Sequence, residues 1–136
     1  MIRHSVVLLE PVLTQLDMHR HLENDLKYRV PINGEPVKIT SLRLRTFLTK
    51  GLTCAHCGLR ASFFAIERNK GSRDPIYHLN LYGIDDGKEI LFTQDHIVAR
   101  SQGGADSLSN SQTLCSKCNT LKSVAEAKAG QKRKKT

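Results

Sequence analysis

Residues 54–57 read Cys-Ala-His-Cys and residues 115–118 read Cys-Ser-Lys-Cys, and these two CxxC pairs contain all four cysteines of the chain. A two-residue spacer lets both sulfurs of one turn reach the same ion, and two such turns supply the ligands of a tetrahedral zinc site. No export signal is visible, so we expect a cytoplasmic protein whose thiols stay reduced rather than forming disulfides. Cys54, Cys57, Cys115 and Cys118 are therefore predicted to bind a structural Zn²⁺.

The composition is consistent with a small, zinc-stabilised protein that binds a polyanion. The chain has 136 residues, of which 39% are hydrophobic and 5% aromatic, so a large apolar core is not expected. No run of residues is apolar enough to predict a transmembrane helix. The formal net charge of +8 favours nucleic acid as the partner, although a basic protein without such a partner has the same charge.

The hydrophobic pattern and the turn residues predict an α+β protein in three parts. Residues 1–50 are expected to form a mainly helical N-terminal extension, with a short buried strand at 5–9 and an amphipathic helix at about 14–29. Residues 51–127 are expected to form the main domain, and residues 128–136 a basic, disordered tail. Further elements are predicted as a connector at 31–36, helices at 41–50 and 116–129, strands at 77–82, 89–94 and 111–114, and a surface loop at 69–75.

The 57 residues between the cysteine pairs leave room for a functional site. Asp95 offers a hard oxygen ligand, and Asn119 follows the second cysteine pair, where zinc would fix its position. A carboxylate, an amide oxygen and water suit Mg²⁺ or Mn²⁺ better than a second zinc ion. His96, next to Asp95, titrates near neutral pH and can act as a base. A divalent ion that offsets the phosphate charge and a base that deprotonates water are the groups that hydrolysis of a phosphodiester requires.

The order of these residues resembles the HNH endonuclease family. The family pattern D-H-I-x-P-x-S-x-G-G, a later asparagine, and L-C-x-x-C-N-x-x-K is matched here by residues 95–104, Asn110 and residues 114–122. With the first cysteine pair, the resemblance covers residues 54–122, about half of the chain, and leaves residues 1–50 uncovered.

The resemblance implies a zinc-stabilised, treble-clef-like ββα-metal domain that cleaves DNA. It implies that His96 is the general base that activates water, and that Asp95 and Asn119 bind a catalytic Mg²⁺ or Mn²⁺. It also implies that Asn110 orients the loop after His96 through backbone hydrogen bonds. The four cysteines would hold the helix against the hairpin, and cleavage would leave 5′-phosphate and 3′-hydroxyl ends.

Two positions depart from the family pattern. Ala99 stands where the family has proline, which should loosen the loop without removing a reactive group. Asn119 replaces the final histidine of the motif name, a variant within the family, and an amide oxygen binds a hard cation less strongly than a carboxylate. We therefore expect weak affinity for the catalytic ion.

The remaining predictions concern the partner. Arg100 and Lys122 flank the expected site and are predicted to contact phosphates of DNA, which we expect to be double-stranded. One alternative is a zinc-dependent DNA-binding module without catalysis, which has the same charge and cysteines but does not account for the four site residues together. A second alternative is a ribonuclease with the same mechanism. Sequence specificity, the number of strands cut and the oligomeric state are left open.

Overall fold

A computed structural model describes residues 1–22, 28–71 and 76–134, and the side chains as far as residue 129. Its main feature is a five-stranded antiparallel sheet with the strand order β1-β4-β5-β6-β7. The strands are β1 (Ile2–Val7), β4 (Ala61–Arg68), β5 (His78–Asp85), β6 (Lys88–His96) and β7 (Ser111–Cys115), and a separate hairpin is formed by β2 (Val30–Ile32) and β3 (Glu35–Val37). The helices are α1 (Leu9–Met18), α2 (Leu42–Lys50) and α3 (Ser116–Lys134).

The N-terminal residues share one sheet and one core with the cysteine-containing part. Strand β1 pairs with β4, so the sheet begins within the first seven residues of the chain. Helices α1 and α2 pack on one face of the sheet and enclose its apolar side chains. The large apolar side chains that are fully buried in this core are Val12, Val37, Leu44, Phe47, Phe64, Ile66, Leu79, Leu81 and Phe92.

Helix α1 lies nearer the N-terminus than the apolar spacing predicts. It begins at Leu9 and ends at Met18, and its inner face is formed by Val12 and Leu16. Met18, the last residue of the helix, is 61% exposed and lies outside the buried face formed by Val12 and Leu16. The predicted helix at 14–29 is therefore wrong in its bounds, and part of it, residues 23–27, lies outside the described residues.

The predicted connector at 31–36 is a hairpin instead. Asn33 and Gly34 form its turn with φ angles of 50° and 81°, the left-handed conformation that this dipeptide adopts in tight hairpins. Pro31 and Pro36 pair with each other across the two short strands. Because proline has no N–H group to donate to a neighbouring strand, such a pair is tolerated only at the edge of a sheet, as in this two-stranded hairpin.

Helix α2 is confirmed with its predicted ends. The Ser41 side chain accepts a hydrogen bond from the Leu44 N–H at 3.2 Å, which satisfies one of the free donors at the helix N-terminus. Gly51 follows the helix with a φ of 102°, a conformation that favours glycine. Leu44 and Phe47 are fully buried and Leu48 is half-buried.

Strand β6 changes its partner along its length, and this positions the functional half of the protein. Its first residues pair with the end of β5, and its residues from Phe92 to His96 pair with β7. The first half of β5 and the second half of β6 therefore diverge. Arg43 of α2 reaches the gap, where Nη2 donates a hydrogen bond of 2.7 Å to the carbonyl of Leu79. This hydrogen bond satisfies the Leu79 carbonyl at a position where β5 no longer pairs with β6.

Helix α3 follows β7 directly and packs on β6 and β7, which gives a β-β-α arrangement within the mixed α/β fold. The helix continues to Lys134, past its predicted end at residue 129 and into the residues predicted to form a basic tail. Its charged and small residues favour helix, and the tail residues extend the same pattern. None of the helices in the described ranges is long and apolar enough to span a membrane.

Candidate active site

The four cysteines lie together beside the start of α3. Their sulfur atoms are all within 4.8 Å of one another, and Sγ of Cys57 lies 3.8 Å from Sγ of Cys115. Zn–S bonds of about 2.3 Å in a tetrahedron place neighbouring sulfurs about 3.8 Å apart, so the donor set and its spacing fit a structural zinc ion. His56 lies within the first pair but does not belong to this cluster. The cluster could therefore hold zinc with sulfur ligands alone.

The environment of the thiols also favours a bound cation. Burial raises the pKa of Cys54, but hydrogen bonds from the backbone N–H groups of Cys115, Cys57 and His56 outweigh burial and lower this pKa to about 6. Burial and the neighbouring sulfurs raise the pKa of Cys118. The Cys54 thiolate therefore forms readily, whereas the raised pKa values of Cys115 and Cys118 mean that these two thiols lose their protons more easily beside a positive charge.

Hydrogen bonds join the first cysteine pair to strand β7. The Ala55 N–H donates to the carbonyl of Thr113 at 2.9 Å, and the Thr113 hydroxyl donates to the carbonyl of Gly51 at 2.7 Å. The Cys115 N–H also points at Sγ of Cys54, at 3.3 Å. The cysteine turn is thereby fixed to the strand that leads into α3.

Asp95 and His96 are the last two residues of β6. Asp95 pairs in register with Gln112 and faces α3, where Oδ2 accepts hydrogen bonds from Nε2 of Gln112 at 2.9 Å and from Nζ of Lys122 at 2.7 Å. Lys122, predicted to contact DNA phosphates, thus lies on the predicted metal ligand. The same ammonium also contacts the backbone carbonyl of His96 at 2.5 Å.

The imidazole of His96 contacts the carboxylate of Asp106. Nε2 lies 2.8 Å from Oδ1 of Asp106, which belongs to the loop between β6 and β7. An ionised carboxylate only accepts hydrogen bonds, so this contact assigns the proton of a neutral imidazole to Nε2. Nδ1 then carries the lone pair and is the basic nitrogen.

Asn110 connects the two ends of the loop at residues 97–110. Its Oδ1 accepts a hydrogen bond from the Val98 N–H at 2.9 Å, and its Nδ2 donates to the carbonyls of Val98 and Ala105 at 3.0 and 2.8 Å. Its own carbonyl accepts from the Ile97 N–H at 2.9 Å. These four bonds hold the backbone that follows His96.

Asn119 and Arg100 are two further predicted site residues. Asn119 projects from α3 toward β6, and its Nδ2 donates to the Thr93 hydroxyl at 2.9 Å. Thr93 precedes Asp95 by two residues, so Asn119 and Asp95 are directed to the same face of the hairpin. Arg100 is exposed at the start of a short 3₁₀ turn in the loop.

Three polar residues that support the site were not predicted from the sequence. Asp106, Gln112 and Thr93 bind the side chains of His96, Asp95 and Asn119, respectively. The antiparallel register of the hairpin could have identified Gln112, since it lies directly opposite Asp95. Asp106 was harder to find, because its contact depends on the path of a long loop.

Comparison with known proteins supports one family. The family model described as HNH endonuclease matches residues 83–124, which include the end of β5, all of β6 and β7, and the first part of α3. No curated protein and no solved structure matches the chain. The match indicates a nuclease or DNA-binding function. As the motif predicts, residues 83–124 of the chain match the HNH endonuclease family model.

Proposed function

We propose that this protein is a metal-dependent endonuclease that hydrolyses phosphodiester bonds of DNA, with a structural zinc ion in the four-cysteine cluster. The observation that carries the proposal is the contact between His96 and Asp106, at the end of the strand whose Asp95 and Thr93 contact side chains of α3. A histidine with a purely structural role needs neither a carboxylate on Nε2 nor the oxygen donors of Asp95 and Asn119 where β6 meets α3. A hydrolytic site needs both a base and a place for a cation.

The oxygen donors fit a hard divalent ion. Both hydrogen bonds to the Asp95 carboxylate end on Oδ2, and the Asn119 contact with Thr93 uses Nδ2. Within the described ranges, Oδ1 of Asp95 and Oδ1 of Asn119 have no hydrogen-bond donor. A carboxylate oxygen and an amide oxygen are the ligands that Mg²⁺ and Mn²⁺ prefer. When bound here, such an ion supplies positive charge to the scissile phosphate and to the departing oxygen.

The side chains of the protein then carry the proton and hold the geometry. Nδ1 of His96 takes a proton from water while the water oxygen forms a bond to phosphorus. The bond from phosphorus to the 3′ oxygen breaks, and that oxygen takes up a proton from solvent, which leaves 5′-phosphate and 3′-hydroxyl ends. Asp106 stabilises the imidazolium that forms, and Asn110 keeps the following loop in place. Arg100 is proposed to contact a neighbouring phosphate.

Plasmid nicking tests the proposal. Zinc-loaded protein should nick supercoiled plasmid when Mg²⁺ or Mn²⁺ is added, and H96A should be slower by about 10²- to 10⁴-fold, the usual contribution of a general base. H21A, at an exposed position outside the site, is the control. Retention of the wild-type rate in H96A would contradict the assignment. DNA binding without nicking at any divalent-ion concentration would favour the non-catalytic alternative, and faster cleavage of structured RNA would favour a ribonuclease.

A further inference from the structure

The ammonium group of Lys122 lies in a cage of oxygen atoms. Nζ is 2.7 Å from Oδ2 of Asp95, 2.5 Å from the carbonyl of His96 and 3.4 Å from the carbonyl of Ile97. A second carboxylate, that of Glu126 one helical turn away, lies 3.6 Å from the same nitrogen. A cation thus already occupies the polar end of β6.

The Lys122–Asp95 ion pair differs from the Lys117–Asp85 ion pair, whose lysine belongs to the same helix. The side chains of Lys122 and Asp95 are 27% and 12% exposed, whereas those of Lys117 and Asp85 are 56% and 54% exposed. Charges that are partly removed from water interact more strongly and are screened less by salt. Lys122 therefore affects the electrostatics of Asp95 far more than Lys117 affects those of its own partner.

Lys122 and Gln112 use the same oxygen of Asp95. With two donors on Oδ2, the carboxylate offers its other oxygen to a metal ion. An ammonium held on one oxygen neutralises part of the charge of the carboxylate and repels a dication brought to the other oxygen. The ammonium and the metal ion therefore repel each other. Hydrogen bonds to a ligating carboxylate also help to orient that carboxylate, which is the competing effect of Lys122.

We infer that Lys122 lowers the affinity of Asp95 for the divalent ion, an inference that rests on the proposed function. A metal ion binds weakly to the free protein because Lys122 has already compensated the charge of Asp95. A DNA phosphate adds negative charge beside the ammonium group of Lys122 and so restores the attraction between the metal ion and Asp95. The site therefore binds its metal ion and DNA together, and reciprocal linkage makes each tighten the other.

Binding of Mn²⁺ to zinc-loaded protein, followed by electron paramagnetic resonance of free Mn²⁺ at fixed ionic strength, tests the inference. K122M removes the charge and keeps most of the aliphatic stem, and it should bind Mn²⁺ about tenfold more tightly, a change equivalent to about 1.4 kcal/mol. K117M, on the same helix, should bind like the wild type. Equal or weaker binding by K122M would mean that Lys122 only orients Asp95, and the inference would be overturned.

Two further variants separate this inference from the proposed function. D95N should lose Mn²⁺ binding, which would show that the ion binds to Asp95. The proposed metal site is contradicted if D95N binds Mn²⁺ like the wild type. It is also contradicted if neither the wild type nor K122M binds Mn²⁺ at millimolar concentration. If the wild type binds through Asp95 and K122M is no tighter, only the inference fails. Zinc content and circular dichroism check the fold, and K122Q replaces K122M if that variant does not fold.

Discussion

Nε2 of His96 lies 2.8 Å from Oδ1 of Asp106, ten residues further along the chain, although no pattern in the sequence connects the two residues. The carboxylate determines which imidazole nitrogen carries the proton and leaves Nδ1 free to accept one. His96 is only about one-quarter exposed, whereas Asp106 is mostly exposed, so the pair lies at the boundary between the hairpin and solvent.

Asp106 should act as a positioning residue. We expect D106A to lower kcat for plasmid nicking about tenfold or more, because the imidazole loses the group that fixes its tautomer and stabilises its charge. DNA affinity in a gel-shift assay should not change, and D106N should recover part of the rate because its amide oxygen still accepts from Nε2. D85A, which removes an exposed carboxylate, is the control. A wild-type kcat in D106A would contradict this role.

Asn110 should be needed for the shape of the loop. N110A removes three side-chain hydrogen bonds, so we expect faster hydrogen exchange of the Val98 amide together with a loss of nicking. N110D keeps the acceptor and loses the donors, and should be intermediate in both measurements. S109A removes only a contact with Ser107 and should behave like the wild type. Normal exchange at Val98 in N110A would show that other contacts hold the loop.

The two adjacent glycines of the loop should differ in their tolerance of a side chain. A methyl group at Gly104 would overlap the carbonyl of Val98, so G104A must displace the backbone that Asn110 holds. At Gly103 a methyl group would have no described atom within 4 Å, and the cost comes from a φ of 87°, about 1–2 kcal/mol. We expect G104A to lose nicking activity and G103A to keep most of it. Equal activities would show that the loop can rearrange.

Removal of zinc should unfold the β6-β7-α3 unit. Structural zinc sites contribute about 10–16 kcal/mol in small peptides, which matches or exceeds the whole stability of a typical domain. We expect one zinc ion per chain by elemental analysis, and a large fall in Tm after treatment with a strong chelator. Zn²⁺ should restore the Tm and Mg²⁺ should not, since thiolates prefer softer ions. An unchanged Tm after zinc removal would contradict a structural role.

Glu67 should make stability depend on acid pH. The buried carboxylate accepts hydrogen bonds from Tyr82, Asn80 and Arg3, at 2.6, 2.8 and 2.8 Å. Burial raises its pKa, but these bonds outweigh burial and hold the pKa below its ordinary value of 4.5. The folded state therefore gains stability above pH 4.5, and this gain is lost as the pH falls through the lower pKa of the folded protein.

E67Q is the test of this contribution. It should lower the free energy of unfolding by about 1.5–3 kcal/mol at pH 7, the usual worth of hydrogen bonds to a charged group. The difference from the wild type should shrink when urea unfolding is repeated below pH 4. E10Q, at an exposed position of α1, should show neither effect. A difference that is the same at both pH values would exclude the charge of Glu67 as the cause.

The cysteine spacing and the helix ends of α2 were predictable because each depends on local chemistry. Two residues between cysteines bring the sulfurs of one turn together, and Ser41 and Gly51 mark the ends of a helix without help from the rest of the chain. The D-H-I motif likewise identified the segment that the family model matches, because its residues are close in sequence.

Strand β4 was not predicted, because its sequence does not alternate. Residues 64–67 are buried in succession, since β4 lies between β1 and β5 and is covered by packing on both faces. One of these residues is Glu67, whose charge is acceptable in the sheet only through partners from β1 and β5. Such partners depend on pairing across 64 residues, which a local pattern cannot show.

The position of Lys122 was also beyond prediction. Its place in the motif indicated a basic residue near the site, and an exposed phosphate contact was the simplest expectation. The contact with Asp95 depends on how α3 crosses β6, because the lysine lies one turn after Asn119 and reaches the end of the strand. Packing geometry between elements decides such contacts, and it is fixed by the whole core.

The pairing of β1 with β4 bears on any attempt to prepare a shorter version of this protein. A fragment that begins at Gly51 would expose a full row of unpaired N–H and C=O groups along β4 and uncover apolar side chains that α1 and α2 now enclose. Unpaired strand edges of this kind form hydrogen bonds with strands of other molecules. Such a shortened protein should aggregate, so binding tags and fusion partners are better attached to a chain that keeps its first strand.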